Sequence, residues 1–185
     1  DSIRLLKFVS LWGVGGTERQ VVNLGLTLDP SGFEVRFACL RRWGEFLGEI
    51  EARRIPLAEY NISSFYHCKA LNAQWRFVRD LKHDRIHIVH TYNFYANVFA
   101  VPAARLSGVP VIIASIRDTG VYLTPRQKWI QKLVCRWADA ILVNAEAVKR
   151  WLVAEGYHPE KIAVIRNGID LSRFAGTNGH GNGNG

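Results

Sequence analysis

Short apolar runs alternate with longer stretches of helical spacing along most of this chain. The first run, residues 3–10, is rich in large and β-branched side chains and predicts a strand. Three glycines within residues 12–16 break any regular element after it. A helix is then predicted from Thr17, a suitable N-cap, to the turn at residues 29–32. Its expected inward positions are Val21, Val22, Leu24, Gly25 and Leu28.

This unit of strand, loop and helix recurs as far as residue 165. The helix over residues 71–82 is predicted to turn Trp75, Val78 and Leu81 to one side. The run at 110–116 lacks polar alternation, which is typical of a strand covered on both faces. Further strands are predicted at 33–40, 55–60, 86–91, 140–144 and 162–165, and further helices at 44–53, 95–106, 125–138 and 146–155.

Strands that alternate with such helices indicate parallel βαβ units with right-handed crossovers. The predicted fold class is α/β, a doubly wound, mostly parallel Rossmann-like sheet with helices on both faces. Ligands of such sheets lie beyond the carboxyl ends of the strands, where the strand order reverses. The segments expected there are 12–18, 91–97, 116–120 and 144–146.

The composition is that of a globular protein, with 185 residues, 48% hydrophobic and 22% charged. No apolar run reaches the ~20 residues of a membrane span. Cys39, Cys68 and Cys135 form no C-x-x-C pair, which favours buried thiols in a reducing, cytoplasmic setting. The Gly/Asn-rich run at 176–185 cannot build a core. We therefore expect one domain over residues 1–175, followed by a disordered linker or tail.

Gly13, Gly15 and Gly16 lie at the predicted turn from the first strand into the first helix. Glycine permits positive φ and close backbone approach, and the N–H groups of a helix start attract anions. We expect Gly15, Gly16, Thr17 and Glu18 to face a phosphate, a diphosphate or a carboxylate. The alternatives are a turn used for packing alone, and for Glu18 a first-turn acid that the helix dipole favours.

The turn departs from two phosphate-binding patterns. The dinucleotide fingerprint G-x-G-x-x-G fails because Glu18 stands three residues after Gly15, and the second strand does not end in an acid. A Walker loop would need Gly-Lys-Ser/Thr. An oxidoreductase domain that binds a nicotinamide dinucleotide stays open as an alternative function.

Five segments carry a resemblance. They are Gly15-Gly16-Thr17-Glu18-Arg19, residues 88–97 (IVHTYNFYAN), 108–115 (GVPVIIAS), 138–148 (ADAILVNAEAV), and 167–170 (NGID) with Phe174. In this order they resemble the N-terminal half of the retaining, nucleotide-sugar-dependent glycosyltransferases of family 4 (glycosyl transferase group 1), which have the GT-B fold.

The resemblance implies an enzyme of polysaccharide biosynthesis that moves a sugar from a nucleotide-diphosphate sugar to a saccharide or lipid-linked acceptor with retention. In the family this half holds mainly the acceptor, and a C-terminal half binds the donor. Residues 167–170 resemble the hinge between the halves. We therefore expect the donor-binding domain to be absent here, this half to be inactive alone, and no cofactor to be needed besides the donor substrate.

The resemblance also carries over to single residues. Gly15 and Gly16 match the family's glycine loop, which faces the donor diphosphate and the acceptor. His90 matches the first histidine after the fourth strand, and Tyr92 stands where many members have a second. Tyr92 can donate a hydrogen bond and stack on a sugar, but it does not shuttle protons near neutral pH. Asn93 or Asn97 is a candidate to share its role, with a helix-face position as the alternative for Asn97.

Further candidates follow the fifth and sixth strands. Arg117 could hold a phosphate, and Asp118 could accept a hydroxyl proton or cap the next loop, with a local salt bridge as the alternative. Asn144 could touch a ligand, but we expect it mainly to cap the next helix. The catalytic residue stays open among His90, Tyr92 and Asp118.

Metal binding is not expected, because His87 and His90 are three apart in a strand and point to opposite faces. His90 alone is interpreted either as a hydrogen-bonded core histidine or as a residue of the ligand site. The net charge of +8 suggests anionic partners, but no nucleic-acid motif accompanies it.

The basic charge is concentrated on the helix at 126–137. The basic side of this helix carries Arg126, Lys128, Lys132 and Arg136. The apolar side carries Trp129, Ile130, Leu133, Val134 and Trp137. We expect the apolar side to pack on the core and the basic side to face solvent. A peripheral contact with the inner face of a membrane, or a stand-alone membrane-docking or binding module, is the alternative.

Overall fold

The computed structural model describes residues 2–62 and 68–168 as a seven-stranded, all-parallel sheet with helices on both faces, which confirms the predicted fold class. The strands are β1 (Ile3–Val9), β2 (Phe33–Cys39), β3 (Leu57–Glu59), β4 (Ile88–Tyr92), β5 (Val111–Ser115), β6 (Ala140–Val143) and β7 (Ile162–Val164). The helices are α1 (Gly16–Thr27), α2 (Leu47–Ala52), α3 (Cys68–His83), α4 (Asn93–Ser107), α5 (Pro125–Cys135) and α6 (Glu146–Ala154), with a 3-10 turn at Pro159–Lys161. The predicted tail and part of the predicted hinge, at 169–185, lie outside the described residues.

The strand order is β3-β2-β1-β4-β5-β6-β7, so the chain winds outward from β1 in one direction and then in the other. The order reverses between β1 and β4, where Lys7 stands opposite Phe37 on β2 and opposite His90 on β4. In a doubly wound sheet this reversal opens a crevice at the carboxyl ends of the strands. The functional site is therefore expected beside β1 and β4.

The two faces of the sheet are covered unequally. Helices α3 to α6 pack over one face, in a core that includes Phe8. Helices α1 and α2 cover the other face over β1 to β3, and the core on that side reaches Tyr92. Beyond it, Ile113 and Leu142 are only half-buried and Ile165 is exposed. Strands β5 to β7 thus leave a groove beside α1.

Three expectations about individual positions were wrong. Trp75 is 59% exposed, because α3 packs through the neighbouring positions Phe77, Val78 and Leu81. Leu24 is 45% exposed because it borders the open groove. The helix predicted from residue 44 begins only at Leu47.

Candidate functional site

A cavity of about 690 Å³ lies between α1 and the open side of β4 to β7. Gln20 of α1 lines one wall, and His90, Tyr92 and Arg117 line the sheet side. Three of the residues predicted from the sequence are therefore brought together. The glycine turn, Asp118 and Asn144 do not line this cavity.

The glycine turn enters α1 with Gly15 as an extended N-cap, and no side chain of the described residues caps it. Thr17 is the second residue of the helix, so its prediction as the N-cap was wrong. The first N–H groups of α1 are left for water or a ligand. A Cβ on Gly16 would meet no described atom within 4 Å, so Gly16 borders open space.

Positive φ is not the reason for these glycines. The glycines with positive φ in the described backbone are Gly44, Gly108, Gly120 and Gly156. The glycine turn instead leaves room in front of the helix start. Part of that room is taken by Glu18, whose carboxylate lies where a Cβ on Gly15 would stand. Glu18 lies in the first turn of α1, as expected from the alternative interpretation of an acid that the helix dipole favours.

The loop after β2 braces the glycine turn. The N–H of Trp12 donates to the Trp43 carbonyl at 2.8 Å, and the N–H of Phe46 donates to the Trp12 carbonyl at 3.3 Å. Gly44 has φ of +130°, and a Cβ there would collide with the Trp12 carbonyl, so only glycine fits. Gly44 was not predicted as a site residue, because its partner lies far away in sequence.

His90, Tyr92 and Ser115 form a buried hydrogen-bonded relay. Nε2 of His90 lies 2.8 Å from Oγ of Ser115, and Nδ1 lies 3.0 Å from Oη of Tyr92. Burial, and then the charges of Lys7 and Arg117, hold the pKa of His90 well below its usual range. Burial also raises the pKa of Tyr92. All three side chains are therefore neutral at physiological pH, and His90 is both a core histidine and a cavity residue.

Lys7 is a site-adjacent residue that was not predicted from the sequence. It is fully buried in β1, and Nζ lies 5.3 Å from the centroid of the Tyr92 ring. Within the described part of the chain, nothing accepts a hydrogen bond from Nζ. Burial, with a smaller effect of Arg117, lowers the pKa of Lys7 from 10.5 to about 7. The available signal was a lysine inside the otherwise apolar stretch of residues 5–9.

Arg117 and Asp118 follow β5 but serve different places. Arg117 is half-buried and its guanidinium donates to the side-chain oxygen of Asn167. Burial lowers the pKa of Arg117, against opposing effects of Tyr92 and Glu18. Asp118 accepts from the N–H of Gly120 at 2.6 Å, as the loop-capping alternative expected.

Two asparagines at the strand ends carry buried oxygens. Asn93 has φ of +66° directly after β4, and it lines a smaller cavity of about 150 Å³ together with Asp118. The Oδ1 atoms of Asn93 and Asn144 have no partner among the residues described. The N-cap of α6 is Ala145, so the prediction that Asn144 caps this helix was wrong. Buried polar atoms without partners are rare, and these two are candidates for ligand contact.

The outer surface of α5 differs from the expectation. Its buried residues are Gln131, Val134 and Cys135. Trp129, Leu133 and Trp137, which were expected in the core, are 63%, 40% and 46% exposed. They are spaced four residues apart along α5 and the turn that follows it, and so form one stripe. None of the helices within residues 2–62 and 68–168 is long and apolar enough to cross a bilayer.

Comparison with known proteins points to one family. The family model described as Glycosyltransferase Family 4 matches residues 14–173. A UDP-Gal:alpha-D-GlcNAc-diphosphoundecaprenol alpha-1,3-galactosyltransferase of Escherichia coli is 29% identical over 133 residues, which are 68% of this chain and 34% of that protein. The chain thus spans about a third of the length of this curated relative.

Solved structures share the fold at low sequence identity. A glycosyltransferase from Rickettsia africae matches with a TM-score of 0.80 and 20% identity, over 98% of this chain and 47% of that one. Anabaena HepE in complex with UDP and glucose matches with a TM-score of 0.78 and 14% identity, over 92% and 46%. A UDP-GlcNAc 2-epimerase from Methanocaldococcus jannaschii matches with a TM-score of 0.65 and 11% identity, over 89% and 46%. The fold therefore extends beyond glycosyl transfer.

Proposed function

This chain belongs to glycosyltransferase family 4, and on that premise we propose that it is the acceptor-side half of a retaining glycosyltransferase. The complete enzyme moves a sugar from a nucleotide-diphosphate sugar to a saccharide or lipid-linked acceptor. The observation that carries the proposal is the family match over residues 14–173, which includes both the glycine turn and the cavity at the strand reversal.

The residues at the carboxyl edge have distinct roles in this proposal. The uncapped start of α1, at Gly15 and Gly16, faces a phosphate-bearing substrate through its N–H groups. Arg117 supplies a positive charge at the cavity edge, and Tyr92 offers a ring for a sugar to stack on. The raised pKa of Tyr92 and the lowered pKa of His90 argue against proton transfer by either side chain. Asp118, which lines the smaller cavity beside Asn93, is the remaining candidate base. The chain's contribution is mainly to position the acceptor.

The donor is proposed to be a UDP-sugar. Anabaena HepE binds UDP and glucose, and the Escherichia coli relative uses UDP-Gal, as their names state. The donor site is proposed to lie in a second domain, as the family resemblance implies, and the chain spans about a third to a half of these relatives. This half alone is proposed to be inactive, and the reaction needs no cofactor besides the donor.

The experiment supplies labelled UDP-galactose or UDP-glucose and a polyprenyl-diphosphate-linked N-acetylglucosamine to the complete product of the source gene and, in parallel, to the 185-residue chain. We expect a labelled lipid product from the complete protein and none from the chain alone. The anomeric configuration of the product, read by NMR, tests retention. Absence of transfer together with a fluorescence shift of bound NADH would favour the oxidoreductase alternative.

A lipid-linked acceptor would require the enzyme to work at a membrane, and α5 favours this. The exposed stripe of Trp129, Leu133 and Trp137 is flanked by the exposed Arg126 and Arg136. Aromatic side chains with cations beside them suit the headgroup region of an anionic bilayer. We assign the stripe to a peripheral contact with the inner face of a membrane. The buried free thiols of Cys39 and Cys135 are consistent with that reducing side.

A further inference from the structure

The relay of Tyr92, His90 and Ser115 has two basic side chains beside it. Lys7 approaches the ring of Tyr92 from inside the sheet, and Arg117 lies at the cavity edge. Lys7 has no hydrogen-bond partner among residues 2–62 and 68–168, and the guanidinium of Arg117 donates to an amide oxygen of Asn167. A buried ammonium group without a partner is strongly disfavoured. Lys7 therefore either stays neutral or receives its counter-charge from a ligand.

We infer that Lys7 is a positioning residue of the transfer site, whose amino group takes up a proton when a substrate phosphate binds against Tyr92 and Arg117. This rests on the proposed function, which brings a phosphate-bearing substrate to this edge. Tyr92 and Arg117 line the cavity, whereas Lys7 does not. Lys7 therefore acts through the Tyr92 ring, by fixing the charge and the orientation of the cavity wall.

The groups that face Lys7 come from each neighbouring element. In register with it are the apolar Phe37 on β2 and the neutral His90 on β4. The positive charge of Arg117, which follows β5, lowers the pKa of Lys7. The negative charge of Glu18, on α1, in turn raises the pKa of Arg117. Burial and Arg117 lower the pKa of Lys7 to about 7, so the free protein carries a mostly neutral Lys7 at pH 8. A nearby negative charge raises this pKa again, so binding consumes protons at pH 8.

The phosphate could belong to the donor nucleotide or to a lipid-linked acceptor, and the two sources share the same charge chemistry. Three probes separate them. Inorganic diphosphate tests the charge alone, UDP represents the donor, and farnesyl diphosphate represents a polyprenyl acceptor. The probe whose binding depends most on Lys7 identifies the substrate that supplies the phosphate.

The experiment is calorimetric titration of the 185-residue chain at pH 8, in two buffers of different ionisation enthalpy, which counts the protons taken up. We expect the wild-type chain to take up about half a proton to one proton more than Lys7→Met does. Its affinity should fall at least about tenfold between pH 6.5 and pH 9, and this extra dependence should vanish in Lys7→Met. Proton uptake by the probe itself is common to both proteins and cancels.

Lys82→Met is the matched control, because Lys82 is exposed at the end of α3 and should behave as wild type. Lys7→Gln replaces Lys7→Met if the latter does not fold. Equal proton uptake with and without Lys7 would overturn the inference, as would absence of binding of every probe to both the 185-residue chain and the complete product of the source gene. Neither outcome affects the transfer assay, which tests the proposed function separately.

Discussion

The phenol oxygen of Tyr92 lies 3.0 Å from Nδ1 of His90, and the two rings stack with their centroids 4.2 Å apart. Ser115 completes the chain on the other ring nitrogen at 2.8 Å. The imidazole is thus held from both sides, and burial keeps it neutral. Where many family members carry a second histidine, this chain therefore has a phenol that fixes the first one. The relay holds the side chains of Tyr92, His90 and Ser115 in place, and it carries no charge.

Removing the Tyr92 hydroxyl tests this relay. Tyr92→Phe keeps the stacked ring but leaves Nδ1 of a buried histidine without its partner. We expect the free energy of unfolding to fall by about 1 to 3 kcal/mol, measured by urea denaturation. Tyr122→Phe is the control, because that side chain is 94% exposed and should change stability little. Equal losses in the two variants would mean that the bond to His90 does not form in solution.

The pH dependence of stability tests the state of Lys7. Its pKa is about 7 in the folded chain and 10.5 as the ordinary value, so between these values the unfolded chain binds more protons. The contribution of Lys7 to stability should therefore rise as pH increases from 7 to 10, by about 3 to 5 kcal/mol, since each pKa unit is worth about 1.4 kcal/mol. Burial raises the pKa of Cys39 and Cys135, which lowers stability above about pH 9 in every variant, so the rise is read as the difference between the wild type and Lys7→Met. Urea denaturation at pH 6.5, 8 and 9.5 measures this rise.

Lys7→Met should lack that rise and should be more stable than the wild type at pH 7, because no charge has to be buried. Lys82→Met, which changes an exposed lysine, should keep the wild-type slope. A Lys7→Met protein with the same slope as the wild type would show that Lys7 does not titrate in this window.

The order of the elements could be predicted because short apolar strands and helical spacing are local signals. The predicted strands and helices, and the reversal beside β1, follow from that periodicity. Periodicity does not tell which stripe of a helix meets the sheet. Trp75 and Trp129 each have helical spacing from the apolar residues of their own helix, yet both are exposed, because each helix buries a neighbouring stripe. Because these aromatic residues are large and apolar, the face that carries them was predicted to be buried.

The site was predictable only in part, for a related reason. The residues His90, Tyr92 and Arg117 lie at or next to the ends of predicted strands, and they do meet at one cavity. Lys7 and Gly44 depend on contacts between distant segments, Lys7 with β4 and Gly44 with the Trp12 carbonyl. A single sequence does not show such contacts. Thr17 was misassigned because the N-cap of α1 is Gly15, two residues earlier.

The open space in front of Gly16 makes it the sharpest test of the glycine turn. A Cβ there meets no described atom within 4 Å, so Gly16→Val should keep the fold while its side chain fills the approach to the helix start. We expect transfer by the complete enzyme to fall at least about a hundredfold, or ~2.7 kcal/mol in the barrier. Circular dichroism and thermal unfolding should change little.

Gly48→Val in α2 is the matched control, since a Cβ there also meets none of the described atoms. It shares the helix-propensity effect of replacing glycine but lies outside the turn. If the two variants turned over substrate equally well, the glycine turn would have no part in binding.

The stripe on α5 predicts how the chain binds membranes. Trp129→Ala combined with Trp137→Ala should weaken sedimentation with vesicles containing anionic lipid by at least about tenfold, because each loses buried apolar area. Changing Arg126 and Arg136 to Gln should weaken it about thirtyfold at low salt, at about 1 kcal/mol per basic residue, and remove most of its salt dependence. Trp75→Ala is the control, because Trp75 is 59% exposed on α3 and lies outside the stripe. Equal binding by the Trp75 variant and the double tryptophan variant would place the contact elsewhere, and binding by neither the wild type nor any variant would remove the membrane from the proposed function.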